Sequence, residues 1–450
     1  MRIVIAGAGN AGRKLAEHMR GARFSVTMLD ISQDALATAE EEADVMTVRG
    51  SATDPAVLAK AGAGAADLFA ALTDNEETNV LSCVLAKHAG AERTIGKLTS
   101  ERYRNGAAGD VCAALGVDFT INQREAVAEE ARRALALPDA LESFDLFEGR
   151  AVAAGFPVGA NSPIAGLSPM KFPDRDLLGR MRFIAALRGK GAVIPRGDTV
   201  FLPGDIVYIA GAADDVKDFS EWLTPGRKPF RRVIIAGGGG VGLFLAEKLE
   251  ARGGHDVVLL ERSEERAAYC AERLNKTLVL KADSLSGAAL DEAGAAGADT
   301  AFVALTGEDE INVMNCLMAR EKGVGFAAAQ IARTEYGPLV RSLGAVNRIL
   351  SPFESIARGI MHYLRGKNAR AVALSHHLPG ELLDVEVADA HKFAGKALKD
   401  VKFPRGMNVA AALRRNEVMA ANGEFVIAEG DRLLVFAESD AVEKVETMFA

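Results

Sequence analysis

Hydrophobic positions along the chain fall into two alternating rhythms: short apolar runs rich in β-branched residues, and longer stretches whose apolar residues recur at helical spacing. Ile3 to Ala6 predicts a strand, Gly12 to Met19 a helix, Ser25 to Leu29 a strand, and Ser32 to Glu42 a helix that Ser32 caps. Val45 to Val48 predicts a third strand, Pro55 to Ala61 a helix opened by Asp54-Pro55, and Leu68 to Leu72 a fourth strand. Strands that alternate with helices in this way build a parallel sheet covered on both faces.

The whole pattern then recurs. Gly7, Gly9 and Gly12 of IAGAGNAG return as Gly237, Gly239 and Gly242 of IAGGGGVG, and Thr73 and Asn79 of ALTDNEETNV return as Thr306 and Asn312 of ALTGEDEINV. Tyr103 matches Tyr336. Cys83 and Cys316 each stand one helical turn beyond the repeated Asn, which predicts that both pack inward. In the second copy the strands fall at Arg232 to Ile235, Val257 to Leu260, Thr277 to Leu280 and Thr300 to Leu305.

A different texture follows each copy. Turn clusters such as Ile194-Pro195-Arg196-Gly197-Asp198 and Leu202-Pro203-Gly204-Asp205 precede the strand-like Ile206 to Ile209, and Glu429-Gly430-Asp431 precedes Arg432 to Phe436 before a terminal helix. The expected plan is four domains in tandem, at 1–137, 138–225, 230–366 and 367–450, with a linker at Thr224 to Pro229 that carries two prolines and a glycine. The turn-rich modules suit a dimerisation surface.

Composition narrows the reading. The 450 residues are 49% hydrophobic and 25% charged with a net charge of −8, and no block of basic residues interleaved with aromatics appears, so direct nucleic-acid binding is a poor expectation. The long uncharged stretch from Ala151 to Met170 holds Pro157, Pro163 and Pro169 and does not read as a membrane span. Arg13 and Lys14 interrupt the first apolar run, so a soluble cytoplasmic chain is expected. Four cysteines stand far apart without zinc or redox spacing, and His376-His377 reads as solvated loop; no metal site is expected.

The glycine segments carry the chemistry. Each follows a predicted strand and opens a helix, the context in which the first glycine allows the tight turn, the second lets main chain approach a pyrophosphate and the third lets helix and strand pack. Free N–H groups at the helix start then face the phosphates. Asp30 and Glu261 end the second strands, where a carboxylate holds both hydroxyls of an adenosine ribose; such an acid favours NAD(H) over NADP(H), and ADP or ATP satisfies the same contacts. Thr73 and Thr306 end the fourth strands at the carboxyl edge of the sheet, where ligands lie. The acids beyond them, Asp74, Glu76 and Glu77, and Glu308, Asp309 and Glu310, either line the cleft or cap the next helix, and capping is the favoured expectation because a helix dipole stabilises acids in its first turn. The fold class is α/β, with two tandem Rossmann-like doubly wound domains, each followed by a small α+β module.

Duplicated GAGNAG and GGGGVG loops, LTDNEETN with LTGEDEIN, and the VIPRGDTVFLPGD run from Val193 to Asp205 together resemble the TrkA family of potassium-uptake regulators, whose domains are called RCK or KTN. The resemblance covers essentially the whole chain. It implies a peripheral cytoplasmic regulatory subunit on the inner face of the membrane, assembled as a homotetrameric ring beneath a Trk-type potassium transporter, with NAD(H) and ATP or ADP as ligands. Carried over by position, the nucleotide contacts are Gly7, Gly9, Gly12, Asp30 and Thr73, and Gly237, Gly239, Gly242, Glu261 and Thr306. Two departures stand out. Gly50-Ser51-Ala52 and Lys281-Ala282-Asp283 occupy the place of a family Gly-Asp-Ala, and Asn10 and Gly240 occupy that of a loop arginine seen in some ring-forming relatives.

Two other readings compete. An NAD-dependent oxidoreductase follows from the fold alone, but residues 138–225 hold no histidine and only scattered lysines, so no catalytic residue is assigned. A ring scaffold with decayed, nucleotide-free sites follows from the missing Gly-Asp-Ala elements.

Overall fold

A computed structural model of the chain describes residues 1–19, 24–100, 107–189, 191–333, 335–363, 369–374, 380–388 and 391–449. Tyr103 and the His376-His377 pair lie outside them.

The first nucleotide-type domain contains β1 (Arg2–Ala6), α1 (Asn10–His18), β2 (Ser25–Asp30), α2 (Gln33–Ala43), β3 (Met46–Arg49), α3 (Pro55–Lys60), β4 (Leu68–Ala71), α4 (Glu76–Ala89), β5 (Thr94–Lys97), α5 (Ala107–Ala114), β6 (Phe119–Ile121) and α6 (Gln123–Ala136). Its sheet runs β3-β2-β1-β4-β5-β6 with every pair parallel. Strand order therefore reverses between β1 and β4, the switch point at which such sheets bind ligands. Central strands are apolar throughout because helices cover both faces: β4 is buried at all four positions. Caps start the helices as anticipated, with Ser32 Oγ accepting from the Ala35 N–H, and Asp54 from the Ala56 N–H just before Pro55. Helix α1 begins earlier than its apolar face suggests, because Gly9 is its N-cap.

The first small module is antiparallel, with β7 (Glu142–Leu146), β8 (Ala151–Pro157), α7 (Arg175–Arg180), β9 (Met181–Arg188), β10 (Gly191–Val193), β11 (Ile206–Ala212) and α8 (Ala213–Leu223), in the sheet order β10-β9-β11-β8-β7.

In the second copy come β12 (Arg232–Ala236), α9 (Gly240–Arg252), β13 (Asp256–Glu261), α10 (Glu264–Arg273), β14 (Leu278–Lys281), α11 (Gly287–Glu292), β15 (Thr300–Ala304), α12 (Asp309–Glu321), β16 (Phe326–Gln330), α13 (Tyr336–Ser342), β17 (Arg348–Leu350) and α14 (Pro352–Tyr363). Their sheet, β14-β13-β12-β15-β16-β17, repeats the first, all parallel. The second small module has β18 (Ala369–Leu374), β19 (Glu381–Glu386), β20 (Met407–Arg414), β21 (Glu417–Ala420), β22 (Arg432–Ala437) and α15 (Val442–Phe449), ordered β18-β19-β22-β20-β21 and antiparallel.

Packing order differs from chain order. One compact unit joins Met1–Arg132 to Phe230–Ile360, and the other joins Arg133–Pro229 to Met361–Ala450. Within the first unit the helices that follow β6 and β17 cross to the opposite domain. From α6, Glu129 pairs with Lys248 of α9 at 3.3 Å and the buried Glu130 accepts from Ser355 Oγ. From α14, Glu354 meets His18 at 2.8 Å and Lys14 at 3.2 Å on α1. Gly359 admits the Ile121 side chain, whose Cδ1 would lie 2.6 Å from any Cβ there.

In the second unit the dimerisation surface expected of the small modules is turned toward the chain's own other copy. Phe144, Ile184 and Tyr208 share one apolar cluster with Leu382, Leu434 and Phe436, and Asn408 Nδ2 donates to the Phe183 and Ile184 carbonyls. The Gly-Asp turns have a shared structural role. Asp205 is buried, and Arg188 grips both its oxygens, Nε to Oδ1 at 2.9 Å and Nη2 to Oδ2 at 2.7 Å; Arg414 does the same to Asp431 at 2.7 Å and 2.7 Å.

Candidate functional site

The two glycine loops form at the switch points, and their glycines differ in what calls for them. Gly7 has φ +107° and Gly237 φ +108°, a left-handed backbone that other residues avoid; a Cβ on Gly7 would also press on Leu72 and Thr73 main chain at 3.0 Å. At Gly12 a Cβ would fall 2.0 Å from the Gly7 carbonyl oxygen, and at Gly242 it would fall 1.9 Å from that of Gly237, so helix and loop touch through bare main chain. Gly9 and Gly239, the N-caps of α1 and α9, differ: a Cβ there meets nothing within 4 Å. Internal packing does not call for glycine at these two positions. Its effect is to leave the first amides of each helix open to an approaching anion.

The acid at the end of the second strand does two things. Asp30 Oδ2 accepts the Ala8 N–H at 2.7 Å and Oδ1 the Ser32 N–H at 2.9 Å; Glu261 takes the Gly238 and Ser263 N–H groups, each at 2.7 Å. Each carboxylate thus ties its glycine loop to the following helix cap. Both retain lone pairs that can accept further donors, such as hydroxyls.

Gly7, Gly9, Asp30 and Thr73 line one cleft of about 660 Å³ in the first copy, together with Lys97 and Phe353. Gly12 lies beneath the loop rather than on its surface. Gly237, Gly239, Gly242, Glu261 and Thr306 hold the same relative places in the second copy, where the Thr306 main chain abuts Gly237. The Thr hydroxyls are already engaged. Thr73 Oγ1 donates to Asn79 Oδ1 at 2.7 Å, and the buried Asn79 also accepts the Thr73 N–H and donates Nδ2 to the Thr73 and Lys97 carbonyls. Asn312 repeats all four bonds with Thr306 and Gln330. The repeated Thr and Asn are therefore a clamp that fixes the cleft edge.

Of the acids after that clamp, Glu76, Glu77, Asp309 and Glu310 lie in the first turns of α4 and α12 and Asp74 lines the first cleft, but Glu76 and Asp309 reach further than a helix start. Asn75 caps α4 through the Thr78 N–H, while Glu76 Oε1 takes the Thr99 and Ser100 N–H groups and the Thr99 hydroxyl. Burial pushes the Glu76 carboxyl up, but the Thr99 and Ser100 bonds and the nearby Arg124 charge bring it below the ordinary range. Asp309 likewise takes the Ala332 and Arg333 N–H groups. Both acids latch the loop after the fifth strand, a long-range role that position in a first helical turn cannot signal.

Lys97 and Gln330 occupy matching places on the fifth strands and were not singled out by sequence. Lys97 is buried and pairs with Asp74 at 2.9 Å. Gln330 Oε1 is buried without a hydrogen-bond partner, an acceptor awaiting a donor at the edge of the second cleft. Bare helix amides, carboxylates with lone pairs to spare and this orphaned acceptor make a donor and acceptor set suited to a phosphorylated nucleoside. Cys83 and Cys316 donate to the Ile95 and Ala328 carbonyls inside the cores; burial drives the Cys83 thiol far up and pushes that of Cys316 up to about 12. Among the described residues no group of three His, Cys, Asp or Glu side chains could hold a metal ion, and no helix is long and apolar enough to cross a membrane.

The chain matches the TrkA-N domain model over residues 3–123 and 233–352, and the TrkA-C domain model over 153–224 and 382–450. It is 31% identical over 454 residues to a Trk system potassium uptake protein TrkA homolog of Archaeoglobus fulgidus, covering 100% of both chains. It is 29% identical over 459 residues to the Trk system potassium uptake protein TrkA of Azorhizobium caulinodans, covering 100% of this chain and 98% of that one. Among solved structures, the GsuK RCK domain superposes with a TM-score of 0.59 at 18% identity, over 100% of this chain and 94% of the other. The GsuK channel bound to NAD superposes at 0.60 and 18%, over 100% and 78%. At that identity the likeness is one of fold.

Proposed function

The chain belongs to the TrkA family, and we propose that it is the peripheral, non-catalytic regulatory subunit of a Trk-type potassium uptake system, reading nucleotide state in two clefts and passing it to the gate of a membrane transporter. The full-length relatives are named as potassium uptake proteins, not as enzymes. In this reading residues 1–137 and 230–366 are the nucleotide domains, 138–225 and 367–450 their small companions, and the assembly is a homotetrameric ring on the inner face of the membrane.

One observation carries the proposal: the same loop, acid and clamp geometry is built twice, with Gly9 and Gly239 leaving helix amides bare where packing does not demand it. Gly7, Gly9 and Gly12 with Asp30, and Gly237, Gly239 and Gly242 with Glu261, would hold pyrophosphate and ribose, with Thr73 and Thr306 at the cleft edge. NAD(H) is the first ligand to test, because a channel of the same fold is described as bound to NAD. ATP and ADP present the same adenosine ribose and phosphate groups. A ligand moves the ring between shapes only by binding one more tightly than another.

Reconstitution with a Trk-type transporter in potassium-loaded vesicles tests the reading. Different ion flux with ATP and ADP, or with NADH and NAD, is the expected result; identical flux with every nucleotide refutes coupling. Thermal melting separates a ligand-free scaffold, since a nucleotide that binds only the folded chain raises its stability.

A further inference from the structure

Each glycine loop is met by the first turn of the helix that crosses from the other nucleotide domain, and the two meetings differ. Strands β6 and β17 end at Ile121 and Leu350, and the next residue of each caps the following helix: Asn122 Oδ1 takes the Glu125 N–H at 3.3 Å, and Ser351 Oγ the Glu354 N–H at 3.4 Å. Arg124 and Phe353 therefore hold the same place in the two copies. Phe353 lines the first cleft. Arg124 is exposed and lies against Gly240, the first residue of α9, where a Cβ would fall 2.4 Å from its Cδ and 2.9 Å from its Nε and Nη1.

A guanidinium beside the start of α9 has the wrong sign for that helix end, whose unbonded N–H groups already carry partial positive charge. An anion placed between them turns repulsion into attraction on both sides. The acid that feels the Arg124 charge, Glu76, has its Oε1 occupied by Thr99 and Ser100. In the first cleft, by contrast, the lining cation is matched: Lys97 pairs with Asp74 at 2.9 Å.

We infer that Arg124, supplied by the first domain, reads phosphate charge in the second cleft and makes it prefer a nucleoside di- or triphosphate, while the aromatic Phe353 leaves the first cleft to a dinucleotide. The pyrophosphate of a dinucleotide is esterified at both ends and carries less total charge than the chain of a nucleoside di- or triphosphate, whose terminal phosphate is free. This rests on the reading of both clefts as nucleotide sites. Gly240 belongs to the same device, because any side chain there would displace the guanidinium.

Photolabelling of the full chain with 8-azido-ATP, followed by peptide mapping, reads the clefts separately, since a label held at one glycine loop marks peptides around Gly7 and Asp30 and a label held at the other marks peptides around Gly237 and Glu261. At the second cleft, ATP displaces the label at a concentration about ten-fold lower than NAD does. Arg124→Gln removes that preference, Arg124→Lys keeps part of it, and neither changes displacement at the first cleft. Equal displacement at the second cleft by native chain and Arg124→Gln, or a loss at both clefts alike, overturns the role of Arg124 while leaving two nucleotide sites. No displaceable label at either cleft overturns the site reading itself, and this inference with it.

Discussion

Asp30 Oδ2 accepts the Ala8 main-chain N–H at 2.7 Å, so the acid proposed to hold a ribose also anchors the glycine loop. Binding and local order are coupled through one side chain. Glu261 reaches Gly238 at the same distance with one more methylene. Removing either carboxylate leaves two main-chain donors short of an acceptor, which costs about 1–3 kcal/mol. Asp30→Ala combined with Glu261→Ala should melt at lower temperature than the native chain and show no further rise with saturating NADH or ATP. Retention of the full nucleotide-dependent rise would remove these acids from the site.

The glycines should separate into two classes. Gly12→Ala and Gly242→Ala force a methyl against a carbonyl oxygen, an overpacking that costs about 1–3 kcal/mol in denaturant unfolding. Gly9→Ala and Gly239→Ala meet open space and should change stability by less than about 1 kcal/mol. Their effect should appear in nucleotide titration, as weaker binding with the fold intact.

Thiol chemistry gives an independent check on the cores. All four cysteines are buried, and the raised thiols of Cys83, Cys112 and Cys316 stay protonated at neutral pH. Native protein at pH 8 should react slowly, if at all, with an aromatic disulfide reagent, and all four thiols should titrate after denaturation. Rapid reaction of Cys83 or Cys316 in the native chain would contradict the packing.

Much of this arrangement was legible in the chain, and the part that was not has a physical reason. The alternation of strands and helices, the two glycine turns and the duplication depend on local periodicity and on backbone angles that only glycine takes readily, so Gly7 and Gly237 announce themselves. Roles that depend on distant contacts do not. Glu76 and Asp309 look like helix-start acids, yet they bind loops after the fifth strands. Asp205 and Asp431 looked like ordinary turn residues, although Arg188 and Arg414 each precede their Asp by 17 residues and the repeat could have paired them. The reach of Arg124 into the other domain has no periodic signature at all.

The Arg188 and Asp205 fork also sets an acid limit. Burial raises the Asp205 carboxyl, but the Arg188 bonds and charge and the Leu202 N–H hold it below its usual range. A folded-state value below the unfolded one, about 3.9, contributes stability that is present above that pH and lost as pH falls through the folded value. Unfolding followed by Trp222, the chain's single tryptophan, which packs in the same module, should be insensitive to pH from 7 to about 5 on this account and should ease below about 4. Asp205→Asn should weaken the module by about 1–3 kcal/mol at neutral pH and flatten that acid dependence.

The crossed helices have an evolutionary corollary. Two identical subunits that traded helices in this manner would be obliged to present the same residue at both crossings, whether arginine or phenylalanine. Fusing the copies into one polypeptide lifts that obligation, so the two crossings are free to differ, as Arg124 and Phe353 do.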